Sequence, residues 1–329
     1  MASIFFYFGL ITFLLSLINV FLNGRSKYLE LFNIIPINLA VILLTVLSAI
    51  AFFIDTTSFI LFLFSLVNFA TYADITFIRK FKHKLPEELG KKIKFLDWNT
   101  FYFYPENPEK IAEKINSINP DLIFLQELFR TNDKDFKKHL KLTHFADPED
   151  YFSVEGVKHF LPQYQHVVIS DDRGIISKYP VKIISEIRAN KKFGFLVAEI
   201  DIDGLKMLLI NVHMPYQRNL TFGYQEKKEI FQKLYEIIWQ NKDMPIILAG
   251  DFNAQKNSKY IRELFVLLHE AISENSTGIH SSWNVKLSLW RLDFLFHNKL
   301  KIEIENAKFF TDKLMSDHRG IIADIIVFK

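Results

Sequence analysis

The sequence predicts a mixed α/β domain that follows an all-helical hydrophobic region. Two observations lead to this prediction. Residues 1–78 carry few charged side chains and read as long apolar runs. Downstream, short apolar runs alternate with amphipathic segments, and turn-forming residues separate them. Strands interspersed with helices and hairpins are typical of sheets covered by helices, not of a purely parallel sheet.

The hydrophobic region contains three apolar runs, at about residues 4–22, 34–53 and 59–77. Each approaches the roughly 20 residues with which a helix crosses a bilayer, so we expect about three transmembrane helices. No basic residue precedes the first run, which disfavours a cleavable signal peptide. Asp74, within the third run, is interpreted as a residue near a helix end that reaches the membrane interface.

Basic residues flank these runs unevenly. Arg25 and Lys27 lie between the first two runs, and a basic linker at residues 79–92 follows the third. The positive-inside rule then places the downstream domain, residues 93–329, on the cytoplasmic face. The same basic segment would also suit contact with anionic lipid head groups.

The downstream domain opens with a predicted β-α-β unit. Residues 93–98 form a strand candidate, residues 108–118 have helical spacing with Asn107 as a cap, and residues 121–126 form the next strand. Later strands are expected at residues 167–170, 174–177, 195–201 and 206–213, with a tight turn at Asp203-Gly204. A helix at 224–240 and strands at 245–249, 291–296 and 320–328 complete the pattern.

Composition limits the chemistry of any site. The chain has no cysteine, so a disulfide framework, a thiolate metal site and a cysteine nucleophile are excluded. A metal would therefore be held by oxygen and nitrogen ligands. The formal net charge of +3 suits an anionic substrate and an ordinary soluble surface equally well.

The strongest local motif is Gly250-Asp251-Phe252-Asn253, which follows an apolar strand. Residues two apart in an extended chain point to the same side, so Asp251 and Asn253 are expected to face one site. A carboxylate and an amide there could orient a water and contact a phosphoryl oxygen. The alternative interpretation is a simple Asx turn after a buried strand.

Other polar residues also stand at predicted strand ends. Asn99 and Glu127 follow the first two strands, whose ends a β-α-β unit brings together, and Asp317-His318 precedes the last strand. Asp and Glu oxygens suit a hard cation, and an imidazole can act as acid, base or phosphate donor. Each of them alone would be an ordinary exposed or loop residue.

Two further candidates lie within apolar strands. His213 ends one strand, where a lone histidine is more often structural, and Asp293 stands in another. A buried carboxylate needs a partner, and pairing with a histidine fixes the imidazole tautomer. Together, these clusters supply what metal-assisted phosphoryl transfer requires: oxygen ligands, a water-orienting carboxylate and donors for developing charge.

This ordered set of motifs resembles the endonuclease/exonuclease/phosphatase superfamily, which has the DNase I-like fold. Residues 174–180, which read Gly-Ile-Ile-Ser-Lys-Tyr-Pro, also resemble a family segment. The resemblance covers residues 91–329 and implies a four-layer α/β/β/α sandwich. It also implies a hydrolase of phosphate ester bonds that needs Mg²⁺, with Mn²⁺ as a possible substitute.

The resemblance implies a role for each motif residue. Glu127 would bind the metal, helped by Asn99 and, from the far side, by Asp317. Asp251 would orient or deprotonate the attacking water. The scissile phosphate would be contacted by His213 and Asn253, while His318, held by Asp293, would stabilise developing charge or assist proton transfer.

The hydrophobic region before such a domain is similar to that of membrane-bound bacterial members, including the teicoplanin-resistance type. This likeness implies a multi-pass inner-membrane protein with an extracytoplasmic domain, in conflict with the loop charges, and both orientations stay open. A lipid-linked phosphate is the first substrate hypothesis, and the lipid bilayer is an expected contact. A membrane-tethered endo- or exonuclease acting on nucleotide or nucleic acid is the second hypothesis. A non-catalytic phosphate-binding or membrane assembly protein is the third, and no obligate protein partner is evident.

Overall fold

The computed structural model describes residues 37–54, 59–77, 90–101, 108–128, 154–189, 193–216, 223–287, 289–312 and 316–328, together with Tyr7, Leu10 and Leu14. The first predicted transmembrane run therefore lies almost entirely outside the described residues. The same holds for most of the basic linker and for the predicted cap Asn107.

Two apolar helices come first, α1 (Ile37–Ile54) and α2 (Phe59–Tyr72). They contact each other through a hydroxyl pair, with 2.5 Å between Ser48 Oγ and Ser65 Oγ. None of the helices in the described part of the chain is long and apolar enough to cross a membrane. The prediction of three transmembrane helices is therefore not supported by these residues.

The interpretation of Asp74 as a residue that reaches the membrane interface is also wrong. Its side chain is not at an interface but is 1% exposed, and it forms an ion pair with Arg291 of the downstream domain at 3.2 Å. The short strand β1 (Ile75–Thr76) follows at once and pairs with β11 (Gly278–Ile279). The hydrophobic region is thus joined to the α/β domain by a strand pair and a buried charge.

The first large sheet has six strands in the order β13-β14-β2-β3-β5-β4. All neighbours are antiparallel except β2 and β3, which run parallel. The strands are β2 (Gly90–Asn99), β3 (Leu122–Gln126), β4 (His166–Ser170), β5 (Arg173–Ser177), β13 (Ile302–Phe310) and β14 (Gly320–Phe328).

The second large sheet has six strands in the order β10-β12-β9-β8-β7-β6, and its parallel pair is β8 and β9. A parallel pair in the middle of each sheet matters because both of its strands end at the same edge. The strands are β6 (Val181–Arg188), β7 (Gly194–Ile202), β8 (Leu205–His213), β9 (Ile246–Asp251), β10 (His269–Glu270) and β12 (Asp293–His297).

The helices cover the outer faces of the two sheets. One buried cluster lies between the sheets and contains Phe95, Phe124, Leu209 and Ile247. A second cluster joins the second sheet to α5 (Tyr224–Gln240) and α6 (Lys259–Leu267), and a third joins the first sheet to α3 (Pro108–Ile118) and α4 (Val154–Phe160). The short helix α7 (Ala271–Asn275) completes the described elements. The predicted four-layer α/β/β/α sandwich is confirmed.

Most predicted elements are present, and the helices at 108–118 and 224–240 and the strand at 320–328 have the predicted bounds. The Asp203-Gly204 turn is also present, with positive φ at both residues. Sequence reasoning missed the strands β6 and β13, the helices α4 and α6, and the short elements β1, β10, β11 and α7. The strand β6 lies at a sheet edge with mostly exposed or half-buried side chains, so it lacks the apolar run by which central strands are recognised.

Candidate active site

The candidate site lies where the parallel strands of both sheets end. Asn99 closes β2 opposite Gln126 of β3, and His213 closes β8 opposite Asp251 of β9. On the other side of β9, Asp251 also pairs with Asp293, the first residue of β12. The fold therefore brings candidates from four strands, Asn99, His213, Asp251 and Asp293, to one place.

Asp251 is the centre of this group and is buried. Its Oδ2 atom accepts a hydrogen bond from Asn99 Nδ2 at 3.1 Å. The same oxygen lies 3.9 Å from Nε2 of His213 and 3.9 Å from Nε2 of His318. One carboxylate oxygen thus faces two imidazoles and an amide.

At Gly250, just before Asp251, the neighbouring strand leaves no room for a side chain. Its φ is +132°, and a Cβ atom there would lie 2.1 Å from the carbonyl oxygen of Val212 in β8. The absence of a side chain at Gly250 therefore makes room for the backbone of the neighbouring strand, which fills the space.

The Asp251–Asn253 motif forms the Asx turn that the alternative interpretation predicted. Asn253 has a φ of +47°, and its backbone N–H donates to Asp251 Oδ1 at 2.8 Å, which is an Asx turn. Its Nδ2 also donates to Met214 O at 2.9 Å and lies 3.3 Å from Asp251 Oδ2. The two side chains meet through this turn instead of through strand periodicity.

His318 contacts Asp293, as the family resemblance implies. Its Nδ1 donates to Asp293 Oδ2 at 2.9 Å, and both residues are buried. Its backbone N–H donates to Ser316 Oγ, and that hydroxyl donates to Asn99 O at 2.7 Å. The loop that carries His318 is therefore fastened to the end of β2.

His213 has a partner that sequence reasoning missed. Its Nδ1 donates to Asp172 Oδ2 at 2.7 Å, and Phe193 packs edge-on against its ring at a centroid distance of 4.8 Å. Asp172 lies in the turn between β4 and β5, which reads as an ordinary polar hairpin turn. Only the packing of the two sheets reveals that this carboxylate faces a histidine of the other sheet.

Charge pairing raises the pKa of both histidines. Burial alone would lower the pKa of His318, but Asp293, Asp251 and Asp317 outweigh it and raise that pKa to about 10. Burial likewise opposes the charged form of His213, and Asp172 chiefly reverses this, so its pKa is raised. Both imidazoles therefore favour the protonated, hydrogen-bond-donating form more than a free imidazole does.

The carboxyl group of Asp251 behaves differently. Burial raises its pKa to about 6, and the charge of His318 only partly offsets the effect. A carboxylate with a pKa near neutrality can accept a proton from a water and release it again. The site thus combines one proton acceptor, Asp251, with two imidazole donors, His213 and His318.

The three predicted metal ligands are only partly brought together. Glu127 Oε1 lies 3.5 Å from His213 Nε2, and Asp317 Oδ2 accepts the indole N–H of Trp283 at 2.8 Å. Within the described residues, no group of three or more His, Asp or Glu side chains is arranged to hold a metal ion. Among the residues that the structure describes, both carboxylates nevertheless have one buried oxygen without a hydrogen-bond partner, Glu127 Oε2 and Asp317 Oδ1.

Those orphaned oxygens fit a divalent cation. A buried carboxylate oxygen without a donor is costly, and Mg²⁺ prefers oxygen ligands of this kind. Glu127, Asp317 and the Asn99 amide oxygen are therefore the residues that could hold one. The Asn99 oxygen already accepts from Phe101 N at 3.0 Å and has a second lone pair available.

A buried polar network supports the site from beneath. Asn211 Nδ2 donates to the carbonyls of Leu125 and Gly174 in the other sheet at 3.0 and 2.9 Å, and its Oδ1 accepts from Gln126 Nε2 at 2.8 Å. Gln126 Nε2 also donates to Asp97 Oδ1. Burial and the charge of Asp293 raise the pKa of Asp97 well above its usual range. No sequence motif indicated this link between the sheets.

Comparison with known proteins agrees with this geometry. A model described as the endonuclease/exonuclease/phosphatase family matches residues 98–318. A 5'-tyrosyl-DNA phosphodiesterase of Caenorhabditis elegans is 26% identical over 213 residues, which cover 62% of this chain and 51% of that protein. The chain therefore spans about half the length of this curated relative.

Solved structures show a similar fold at low sequence identity. An endonuclease/exonuclease/phosphatase from Beutenbergia cavernae is 14% identical with a TM-score of 0.53, and the match covers 72% of each chain. The beta toxin of Staphylococcus aureus with bound magnesium ions is 16% identical with a TM-score of 0.49, covering 73% of this chain and 100% of the toxin.

Proposed function

Because the chain belongs to the endonuclease/exonuclease/phosphatase family, we propose that it hydrolyses phosphoester bonds with the help of a divalent cation. One observation carries this proposal. A single oxygen of Asp251 lies 3.9 Å from each of two imidazoles and 3.1 Å from the Asn99 amide. A proton acceptor beside two imidazole hydrogen-bond donors is what attack of water on an anionic phosphorus centre requires.

Each residue then has a chemical task in the proposed reaction. Asp251 accepts the proton of the attacking water, since its raised pKa of about 6 makes it a better base than an ordinary aspartate. His213 and His318 donate hydrogen bonds to the phosphoryl oxygens and stabilise the charge that develops on them. The raised pKa of His318 favours this donor role over a role as a base. Asn253 orients Asp251 and contacts the phosphate.

Glu127, Asp317 and Asn99 would hold Mg²⁺ or Mn²⁺ in this proposal. The bound cation would neutralise phosphoryl charge and favour the leaving group. Support comes from the two orphaned carboxylate oxygens and from a ligand set made only of hard oxygens.

The N-terminal helices support a location at a lipid surface. In α1 and α2 many large apolar side chains are exposed, including Phe53 at 84% and Val67 at 62%. Surfaces of this kind mark protein or membrane contacts. We infer that these helices associate with a lipid bilayer, and the likeness to membrane-bound bacterial members agrees with a place at the inner membrane.

A phosphorylated lipid is the substrate that such a location favours. The second candidate is a nucleic acid phosphodiester, because the curated relative is named as a tyrosyl-DNA phosphodiesterase. Both substrates place a phosphodiester or phosphomonoester at the same residues, so the site geometry serves either one.

A substrate screen tests the proposal. The full chain, purified in detergent, would be incubated with Mg²⁺ or Mn²⁺ and with polyprenyl pyrophosphate in vesicles, a phosphodiester lipid, plasmid DNA, RNA and a 5'-tyrosyl oligonucleotide. We expect cation-dependent release of product from one class, and loss of that product with Asp251→Asn and with His318→Ala. Chelation with EDTA should have the same effect.

The outcomes separate the hypotheses. Lipid turnover without DNA cleavage supports the first substrate class, and the reverse supports a nuclease. Turnover that persists in both variants contradicts the assigned roles. Phosphate binding without any turnover would indicate the non-catalytic alternative.

The membrane side is a separate question. Loop charges favour the cytoplasmic face, and the family resemblance favours the extracytoplasmic one. A pair of C-terminal fusions in bacteria, alkaline phosphatase and green fluorescent protein, distinguishes them. Phosphatase activity without fluorescence indicates the extracytoplasmic side, and the opposite pattern indicates the cytoplasm.

A further inference from the structure

The segment that follows α2 is built into the support of the candidate active site. Asp74 is buried and lies within 3.3 Å of Arg291 Nη1 through both of its carboxylate oxygens. Arg291 Nη2 in turn lies 2.6 Å from Glu270 Oε1, and all three side chains are at most 1% exposed. A buried arginine between two carboxylates depends strongly on each partner, because removing one leaves charge uncompensated.

Backbone contacts continue from this ion pair. Ile75 and Thr76 pair with β11, and Asp74 O accepts the backbone N–H of His280 at 2.9 Å. Thr76 Oγ1 lies 2.9 Å from His280 Nε2. The N-terminal segment therefore pairs with the chain at the point where the loop between β11 and β12 begins.

That loop supports two residues of the site. The Ser282 hydroxyl oxygen accepts the backbone N–H groups of Leu292 and Asp293 at 2.9 and 3.1 Å. The next residue, Trp283, donates its indole N–H to Asp317. Asp293 orients His318, so the loop determines where both the histidine and a candidate metal ligand lie.

We propose that Asp74 is a positioning residue of the active site, which acts through Arg291 on the loop between β11 and β12. This inference rests on the proposed function for its catalytic consequence. Asp74 and the hydrophobic region belong to the N-terminal part of the chain, before the residues matched by the family model. The N-terminal region is accordingly an internal support of catalysis as well as an attachment.

Asp74→Asn in the full chain tests the proposal. We expect kcat for bis-p-nitrophenyl phosphate with Mg²⁺ to fall about tenfold with little change in KM, which is the usual scale for loss of a supporting partner. Amide hydrogen exchange should become faster in the loop between β11 and β12 and at residues 316–319, and stay unchanged in β6 and β7. A purely stabilising role would lower the melting temperature and leave kcat at lower temperature unchanged.

Three further variants complete the test. Asp203→Asn is the matched control, since it removes an exposed ion pair with Lys91 at 2.7 Å, and it should leave kcat and exchange unchanged. Asp74→Glu, which retains the charge, should recover part of kcat. If Asp74→Asn does not fold, Thr76→Val removes the contact with His280 and should shift both readouts in the same direction, by less.

The result that overturns the proposal is unchanged kcat and unchanged exchange of the loop in Asp74→Asn. A wild-type chain that hydrolyses no substrate would refute the proposed function instead. Hydrogen exchange of the loop would still decide whether Asp74 positions it.

Discussion

Asp172→Asn and Asp172→Ala test whether the partner of His213 matters for catalysis. Asp172 Oδ2 accepts the Nδ1 proton of His213 at 2.7 Å, and both side chains are at most 4% exposed. The asparagine variant can still accept that proton through its amide oxygen, so it removes charge and keeps orientation. The alanine variant removes both.

The expected magnitude follows from the strength of that hydrogen bond. A hydrogen bond to a charged group contributes about 1.5–3 kcal/mol. Because about 1.4 kcal/mol corresponds to a factor of ten in rate, kcat should fall about 10- to 150-fold in Asp172→Ala. The fall in Asp172→Asn should be smaller, since the ring keeps its orientation while the pKa of His213 loses its main upward influence.

The assay is steady-state hydrolysis of the best substrate from the screen, with saturating Mg²⁺. Urea unfolding of each variant ensures that it is folded under assay conditions, because a buried N–H left without a partner costs about 1–3 kcal/mol. Asp203→Asn serves again as the control for loss of an aspartate charge away from the site. A folded Asp172→Ala variant with kcat within about twofold of wild type would refute the reasoning, since it would leave His213 oriented without its carboxylate.

Three other substitutions test the framework of the site. Gly250→Ala should lower the free energy of unfolding by about 2–6 kcal/mol, because the added carbon strains the backbone and overlaps with Val212 O. Gly204→Ala, with open space around the added carbon, should lower it by about 1 kcal/mol. Both values would be measured by urea unfolding. Asn211→Ala removes two hydrogen bonds to carbonyls of the opposite sheet and one from Gln126 Nε2, which keeps its bond to Asp97. We therefore expect a loss of about 3 kcal/mol in the same measurement. Burial and Arg291 lower the pKa of His280 to about 4, below its ordinary value of 6.5, so folding favours the neutral ring. Stability should therefore decrease as pH falls from about 6.5 to 4. His280→Gln should remove part of that decrease in a pH series of melting curves. Equal pH dependence in wild type and His280→Gln would contradict the assignment.

The local features of the fold were accessible from the sequence. Central strands such as β3 and β9 are buried along their whole length, and they read as apolar runs bounded by polar residues. The helix α5 buries one face, and its apolar residues recur at helical spacing along that face. Edge elements with mixed exposure, such as β6, give no such signal because their pattern is set by one neighbour and by solvent.

The candidate site likewise has residues that the sequence predicts and partners that only packing supplies. Every residue that sequence reasoning placed at a strand end lies there, because chemistry-bearing residues interrupt apolar strands visibly. The partners that hold them come from distant segments. Asp172 reaches His213 across the two sheets, and Asp74 reaches Arg291 from the N-terminal region, over 41 and 217 residues of sequence.

Three features of this protein could be predicted from the sequence alone: the alternation of strands and helices, the absence of thiol chemistry and the polar residues at the strand ends. These follow from periodicity and composition, which are local properties of the chain. Three other features became visible only in the folded chain: one Asp251 oxygen faces two imidazoles, Val212 O occupies the space beside Gly250, and Asp74 is buried beside Arg291. Those facts depend on how two sheets and an N-terminal segment pack, and packing joins residues whose separation in sequence carries no signal of their contact.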